Sequence, residues 1–235
     1  MINKDYMQQL AQNQGFDLLP RQLEQLDCYA EFLVDYNTKV NLTAITDPEE
    51  IVVKHFLDSM MLLCYLPKKD NLTLIDVGTG AGFPGAVVKI VRPDIQVCLM
   101  DGLDKRITFL KQLCQRCGME CECLHARAEE VGKNQLREKF DVVTARAVAN
   151  LRLLSELCLP LVKPGGMFVA MKGPTGAAEA AEATNGIKKL GGQVERIVEY
   201  PLLDAGDRSL VVVKKIIKTP TIYPRGFGQM KKRPL

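Results

Sequence analysis

A carboxylate followed by closely spaced glycines is the clearest chemical signal in this sequence. Asp76 is followed by four glycines within nine residues, namely Gly78, Gly80, Gly82 and Gly85. Glycine tolerates positive φ angles and lets a ligand lie directly against the backbone. Apolar residues before Asp76 predict a buried strand, and the residues after Gly85 predict a helix. A strand, a glycine turn and a helix form the first unit of a nucleotide-binding α/β sheet.

The carboxylate favours S-adenosylmethionine over a dinucleotide as the ligand of this turn. Gly80-x-Gly82-x-x-Gly85 fits the dinucleotide fingerprint, whereas Gly78-x-Gly80-x-Gly82 after Asp76 fits the first motif of S-adenosylmethionine-dependent methyltransferases. Asp76 would repel the two phosphates of a dinucleotide. S-adenosylmethionine instead carries an ammonium and a sulfonium, which a carboxylate attracts. A glycine-rich turn with only a structural role is the remaining interpretation.

A second acid is expected to bind the ribose of the cofactor. Asp101 ends the predicted second strand and follows Asp76 by 25 residues. This architecture places an acid on the ribose hydroxyls at about that distance. A carboxylate has only acceptor oxygens and can accept both hydroxyl protons.

Strands and helices alternate from residue 72 to residue 172, which predicts a parallel sheet. Two further strands, 193–200 and 209–217, are joined by a loop too short for a crossover helix and must therefore pair antiparallel. The predicted fold is α/β: a Rossmann-like methyltransferase sheet, mostly parallel, with a closing antiparallel strand pair and an N-terminal helical appendage. The parallel strands are predicted at 72–77, 95–100, 119–124, 140–143 and 167–171.

Three segments are predicted: a helical extension packed on the core (1–70), a methyltransferase core (71–218) and a basic tail (219–235). In the extension, Asp47-Pro48 predicts a helix start, and His55, Asp58 and Ser59 share one face of that helix. A histidine in this position has either a structural or a functional role.

Composition limits the class of protein. The chain has 235 residues, of which 47% are hydrophobic and 25% charged, as in an ordinary folded protein. The longest apolar run, 60–66, is too short to cross a membrane, and the polar start does not fit a signal peptide. The eight cysteines show no disulfide spacing, so a cytoplasmic location with reduced thiols and no membrane contact is expected.

Positive charge is concentrated at the C-terminal end. The net charge is +3, but seven cations and no acids follow Val213, so the rest of the chain carries −4. A basic tail on an acidic body is typical of a polyanion-binding protein, and a solvated terminus is the alternative. The seven cations are Lys214, Lys215, Lys218, Arg225, Lys231, Lys232 and Arg233.

Four cysteines lie within ten residues and are chemically suited to zinc: Cys114, Cys117, Cys121 and Cys123. The first pair falls at the end of a predicted helix and the second on a predicted strand. Because Cys121 and Cys123 would then face the same side of the sheet as core residues, no metal site is predicted.

The chain resembles the bacterial 16S ribosomal RNA guanine-N7 methyltransferase family, also called glucose-inhibited division protein B. The resemblance covers nearly the whole length. It rests on eight motifs: Asn41–Ile45, His55–Ser59, Asp76–Gly85, Lys105-Arg106, Ala126–Glu129, Ala145–Ala147, Lys163–Gly166 and Tyr223–Arg225.

The resemblance implies cofactor contacts at Gly78, Phe83, Ala128, Glu129 and Arg146. It also implies 16S ribosomal RNA or the small ribosomal subunit as the partner, 7-methylguanine as the product, and no stable protein partner.

Guanine N7 has a lone pair and no proton to lose, so no catalytic acid or base is predicted. Cations are expected to bind the substrate instead, at Lys172, Arg208 and Arg225. The alternatives are a methyltransferase acting on another RNA or on a small molecule, a nicotinamide dehydrogenase, and a non-enzymatic RNA-binding factor.

Overall fold

One sheet of seven strands forms the centre of the structure. The computed structural model describes all 235 residues. The strands are β1 (Thr73–Val77), β2 (Gln96–Asp101), β3 (Glu122–His125), β4 (Phe140–Arg146), β5 (Val162–Lys172), β6 (Gly192–Pro201) and β7 (Asp207–Lys215). Their order is β3-β2-β1-β4-β5-β7-β6, and β7 runs antiparallel to both of its neighbours. The predicted mostly parallel sheet with a closing antiparallel pair is confirmed.

Ten helices surround the sheet. They are α1 (Lys4–Asn13), α2 (Pro20–Asn37), α3 (Pro48–Glu50), α4 (Asp58–Met60), α5 (Gly85–Val91), α6 (Asp104–Cys117), α7 (Ala128–Val131), α8 (Leu151–Cys158), α9 (Gly176–Lys189) and α10 (Phe227–Lys232). None of them combines the length and the apolar character that a membrane span requires.

The helix predicted after Asp47 is present and contains a π-helical segment. The Asp47 side chain accepts a hydrogen bond from the Glu50 N–H at 3.0 Å, and Pro48 occupies the first helical position. The π-helical residues Ile51–Leu57 join α3 to α4. Such segments are frequent at functional sites, and this one carries His55.

Two predicted strand boundaries are wrong. β3 starts only at Glu122. β5 starts at Val162 instead of residue 167, because its glycines form an irregularity between paired strands rather than a separate turn.

Two apolar clusters lie on the two faces of the sheet. The first combines α2 residues such as Tyr29 and Leu33 with Phe109 of α6 and Leu74 of β1. The second combines α8 and α9 with the opposite face of the same strands. The N-terminal helices therefore complete the core on one face.

The basic C-terminal segment is folded onto the helices of the second face. Met230 is fully buried, and Arg152 of α8 donates hydrogen bonds to the carbonyls of Pro234 and Leu235. Lys215, counted among the basic residues, is buried and donates to the Leu159 carbonyl and the Thr219 hydroxyl. The interpretation of this segment as only a solvated terminus does not fit these contacts.

Candidate active site

The loop between β1 and α5 encloses the carboxylate of Asp76. This side chain is fully buried, and its Oδ2 accepts hydrogen bonds from the Thr79 hydroxyl at 2.6 Å and the Gly85 N–H at 2.8 Å. Burial raises the pKa of Asp76 to about 6, against the effect of these two bonds. Oδ1 is buried and has no hydrogen-bond partner. A donor or cation of a ligand can satisfy this oxygen.

The glycines of this loop serve two different purposes. Gly80 has a φ of +62°, and a Cβ there would meet only the Gly78 carbonyl, 4.0 Å away, so its outer side is open to a ligand. A Cβ on Gly85 would lie 2.9 Å from the Asp76 Cβ, and one on Gly82 would lie 2.6 Å from the Tyr29 hydroxyl. Any side chain at these two positions would clash with neighbouring residues, so close packing requires glycine there.

Helix α2 supports the loop from within the protein. The Tyr29 hydroxyl donates a hydrogen bond to the Ala81 carbonyl at 2.5 Å, and the Tyr29 ring stacks on Phe83 with centroids 5.0 Å apart. Sequence reasoning missed this role, because Tyr29 has the spacing of an ordinary core residue.

Asp101 connects the glycine loop to β2. Its Oδ2 accepts hydrogen bonds from the Gly80 N–H at 3.0 Å and from Arg106 at 3.1 Å, and its Oδ1 accepts one from the Leu103 N–H at 2.9 Å. Each carboxylate oxygen has more than one acceptor site, so these contacts leave acceptor capacity. The predicted contact of Asp101 with a ribose stays a prediction.

The start of α7 lies next to Asp101. The Ala126 N–H donates to the Asp101 carbonyl at 3.2 Å, which fixes the chain just before Ala128 and Glu129. Ala128 is buried, and only 12% of the Glu129 side chain is exposed. The ends of β1, β2 and β3 thus bring all the predicted cofactor residues except Arg146 to one edge of the sheet.

Arg146 at the end of β4 connects this edge to the N-terminal helices. Its guanidinium donates to Asp58 Oδ2 at 2.8 Å and to the Lys54 carbonyl at 3.1 Å. It also lies 3.2 Å from His55 Nδ1 and 5.1 Å from the centre of the Phe83 ring. One arginine therefore contacts both the π-helical segment and the glycine loop.

His55 is neutral and held in one tautomer. Burial and the positive charge of Arg146 lower its pKa to about 3. Because arginine can only donate, Nδ1 accepts from Arg146 and Nε2–H donates to the Thr43 hydroxyl at 3.0 Å. The ring also stacks on Phe83 with centroids 4.3 Å apart. His55 is thus a fixed, uncharged side chain in the lining of the site.

Tyr200 of β6 completes this network. Its hydroxyl donates to Asp58 Oδ1 at 3.0 Å, so both oxygens of Asp58 are engaged. Burial, together with the negative charge of Asp58, raises the pKa of Tyr200 above its ordinary value. The sequence placed Asp58 on the face of His55, but no local pattern indicated Tyr200.

A cavity of about 350 Å³ opens beside Arg146. It is formed by the π-helical segment and the ends of β4, β5 and β7, and ligand sites commonly have this volume. Its charged lining residues are Lys54, Asp58, Arg146, Lys172, Glu179 and Arg208. The predicted cofactor residue Arg146 and two of the predicted substrate cations, Lys172 and Arg208, are thus brought together.

Comparison with known proteins identifies the family. Residues 22–211 match the family described as rRNA small subunit methyltransferase G, GidB. A protein of Lactobacillus johnsonii named ribosomal RNA small subunit methyltransferase G is 49% identical over 226 residues, which cover 94% of this chain and 95% of the relative. A protein of the same name from Pelotomaculum thermopropionicum is 47% identical over 228 residues, or 96% and 95% of the two chains. The chain belongs to the methyltransferase G family.

Two solved structures of low sequence identity share the fold. A SAM-dependent methyltransferase from Aquifex aeolicus matches with a TM-score of 0.52 and 20% identity, covering 77% of this chain and 97% of that one. A SAM-dependent O-methyltransferase from Thermotoga maritima matches with a TM-score of 0.51 and 16% identity, covering 80% and 72%. The predicted family, enzyme class and Rossmann-like fold are confirmed.

Not every candidate residue of this methyltransferase G chain lies at the cavity. Arg225, expected to bind substrate, forms an ion pair with Glu156 of α8 at 2.6 Å. The four candidate zinc thiols do not converge, since Cys114 faces Cys123 at 4.0 Å while Cys117 faces Cys28 at 3.5 Å. No three His, Cys, Asp or Glu side chains are grouped to bind a metal ion.

Proposed function

We propose that this protein transfers a methyl group from S-adenosylmethionine to N7 of an unpaired guanine in 16S ribosomal RNA. The proposal rests mainly on a cavity with room for a nucleobase, which is lined by Arg146, Lys172 and Arg208 and lies next to an open glycine loop. Family membership supports ribosomal RNA of the small subunit as the substrate. N7 lies in the deep, narrow major groove of A-form RNA, so the target base must be unpaired to enter the cavity.

The edge formed by β1, β2 and β3 fits the cofactor. The unpartnered Oδ1 of Asp76 suits a cationic or donor group, and the open side of Gly80 allows close approach of a ligand. Asp101, Ala128 and Glu129 would hold the adenosine portion. When bound, S-adenosylmethionine supplies an electrophilic methyl group on a sulfonium.

The protein contributes orientation rather than proton transfer. His55 is neutral with both ring nitrogens engaged, and both oxygens of Asp58 are engaged by Arg146 and Tyr200. Glu179, the other carboxylate of the cavity, accepts hydrogen bonds from Lys172, Leu151 and Thr175. That all three groups are engaged agrees with a nucleophile that has no proton to lose. Holding the reacting atoms in line can then supply most of the rate acceleration.

The charges of the lining suit this reaction. Methylation at N7 leaves a positive charge on the base, and the carboxylates of Asp58 and Glu179 lie in the same cavity. They also pair with Arg146 and Lys172, so neither cation stands alone near the charged product. Arg208 hydrogen-bonds only to the carbonyls of Gly206 and Asp207 and suits an RNA phosphate.

The test is methylation of 16S ribosomal RNA by the purified protein. Naked RNA and small subunits from a strain lacking the modification are offered with radiolabelled S-adenosylmethionine, and the methylated position is mapped. We expect one 7-methylguanine. Methylation at another atom or base, or none on either substrate, would overturn the proposal.

Gly80→Val links this activity to the glycine loop. A valine there would combine a strained φ with a side chain in the open space, so cofactor binding measured by calorimetry should be lost while the circular dichroism spectrum is kept. Gly228→Ala is the matched control, because no atom lies within 4 Å of a Cβ at that position.

A further inference from the structure

A lysine and a glutamate form a fixed pair within the cavity. Lys172 at the end of β5 and Glu179 in the first turn of α9 approach to 2.8 Å between Nζ and Oε2. Only 10% and 16% of the two side chains are exposed, and both residues line the cavity. A ligand base in this cavity therefore meets a donor and an acceptor side by side.

Neighbouring groups hold this pair in place. Glu179 Oε2 also accepts from the Leu151 N–H at 2.8 Å, and Oε1 accepts from the Thr175 hydroxyl at 3.1 Å. Lys172 also donates to the Ala149 carbonyl at 2.8 Å. Burial acts to raise the pKa of Glu179. The hydrogen bonds, of which the one from Lys172 has the largest effect, outweigh burial and keep this pKa below its ordinary value. Glu179 thus presents a charged acceptor at neutral pH.

The pair is complementary to guanine in the orientation that directs N7 away from Glu179. On its Watson–Crick edge guanine presents the O6 acceptor followed by the N1–H and N2–H donors. Adenine presents an N6–H donor and then an N1 acceptor, which is the reverse order. Adenine can therefore hydrogen-bond to the lysine and the carboxylate only when it is turned over, which places its N7 on the Glu179 side.

We propose that Lys172 binds O6 and that Glu179 Oε1, which accepts only one other hydrogen bond, binds N2–H of the target base, so that the pair selects guanine. This inference rests on the function proposed above. The cavity extends from the pair to Arg146, whose guanidinium lies against Phe83 of the glycine loop. N7 lies on the far side of O6 from N1, so a base held by this edge directs N7 away from Glu179.

The test compares guanosine with inosine at the target position. Inosine lacks only the N2 amine and keeps O6, N1–H and N7. The substrate is the RNA or subunit that the wild-type protein methylates, assembled with either nucleoside at that position. For the wild type we expect kcat/KM to fall about 10-fold with inosine, the cost of one hydrogen bond to a charged group.

Glu179→Ala and Glu179→Gln should change the ratio of kcat/KM for guanosine to kcat/KM for inosine. Both variants should lose about 100-fold in kcat/KM with guanosine. In Glu179→Ala the remaining penalty for inosine should fall below about 2-fold, because the partner of N2–H is gone. Glu182→Ala, an exposed glutamate on the same helix, is the control and should keep the wild-type ratio.

The outcomes separate this inference from the proposed function. If the wild type methylates both nucleosides equally, or if Glu179→Ala keeps the full inosine penalty, the inference is overturned while the function stands. If the wild type forms no 7-methylguanine, the proposed function itself fails. The wild-type comparison needs no variant, so the inference stays testable even if Glu179→Ala does not fold.

Discussion

Two arginine–carboxylate pairs in this protein have similar distances and burial but different surroundings. Arg146 and Asp58 approach to 2.8 Å, with 16% and 5% of their side chains exposed. Arg225 and Glu156 approach to 2.6 Å, with 17% and 1% exposed. The first pair borders a cavity and the glycine loop, whereas the second fastens the C-terminal segment to α8. Charge and burial alone therefore do not show whether such an arginine has a binding or a structural role.

The difference lies in what else each guanidinium contacts. Besides Glu156, the contacts of Arg225 stay within its own segment: it donates to the Arg233 carbonyl and lies 6.0 Å from the centre of the Tyr223 ring, and its backbone N–H also binds Glu156. Arg146 contacts a neutral histidine of the π-helical segment and faces Phe83 of the glycine loop. The comparison predicts that removing each arginine will affect different properties of the protein.

The largest effect on stability is expected from Arg225→Ala. The Glu156 carboxylate would stay buried without its cation, which costs about 3–5 kcal/mol of unfolding free energy. Activity per folded molecule should not change. Urea unfolding and methylation assays test this, with Lys231→Ala, an exposed cation of the same segment, as control. Loss of specific activity at unchanged stability would instead support the predicted substrate contact of Arg225.

Asp76 is a buried carboxylate without a paired cation, so its contribution to the free energy of unfolding should depend on pH. Its folded pKa of about 6 exceeds the ordinary 3.8, so folding favours the protonated form. The resulting contribution to stability is complete below pH 3.8 and is lost as pH rises through 6.

Asp76→Asn removes this dependence. Between pH 4 and pH 7 the variant should gain roughly 2–3 kcal/mol relative to wild type, as 1.36 kcal/mol per pKa unit implies. Urea unfolding without cofactor at both pH values measures the change. A difference between the two proteins that is independent of pH would contradict the prediction.

Arg146→Ala should reduce activity more than stability. We expect a loss of about 100-fold in kcat/KM, equivalent to roughly 2.7 kcal/mol. The stability loss should be smaller than for Arg225→Ala, because Asp58 keeps the hydrogen bond from Tyr200. Steady-state kinetics and thermal melting provide the comparison. If the variant unfolds but retains its activity per folded molecule, Arg146 has the structural role.

The sequence predicts those parts of the site that local patterns determine. Asp76, Gly80 and Asp101 lie at or just after the ends of strands with clear apolar patterns, and the parallel sheet brings strand ends together. Asp58 and Tyr200 are separated by 142 residues, and neither element has a pattern that indicates their hydrogen bond. The ion pair of Arg225 has no local sequence signal for the same reason: its partner Glu156 is 69 residues away and looks like an ordinary helix residue.

The exposed cations of the C-terminal segment differ from both arginine pairs, because Lys231, Lys232 and Arg233 lie on the surface. If they bind RNA phosphates, the triple alanine variant should reduce the salt slope of RNA binding by roughly 2, with about 0.7 per phosphate of single-stranded RNA. The effect should be alike for all RNA sequences, and cofactor affinity should stay unchanged. RNA affinity measured against salt concentration tests this, and equal slopes would exclude a role in phosphate binding.

The smallest expected effect concerns Tyr200, which distinguishes positioning of Arg146 from simple pairing. Tyr200→Phe removes only the hydroxyl that donates to Asp58, so about 1 kcal/mol of stability should be lost. If this bond fixes Asp58 and thereby Arg146, kcat should fall about 3- to 5-fold at nearly constant cofactor affinity. Combining Tyr200→Phe with Arg146→Ala provides a double-mutant cycle: because the hydroxyl acts through Arg146, its effect on kcat should vanish when the arginine is absent. Additive effects on kcat would show that Tyr200 contributes to the site independently of Arg146.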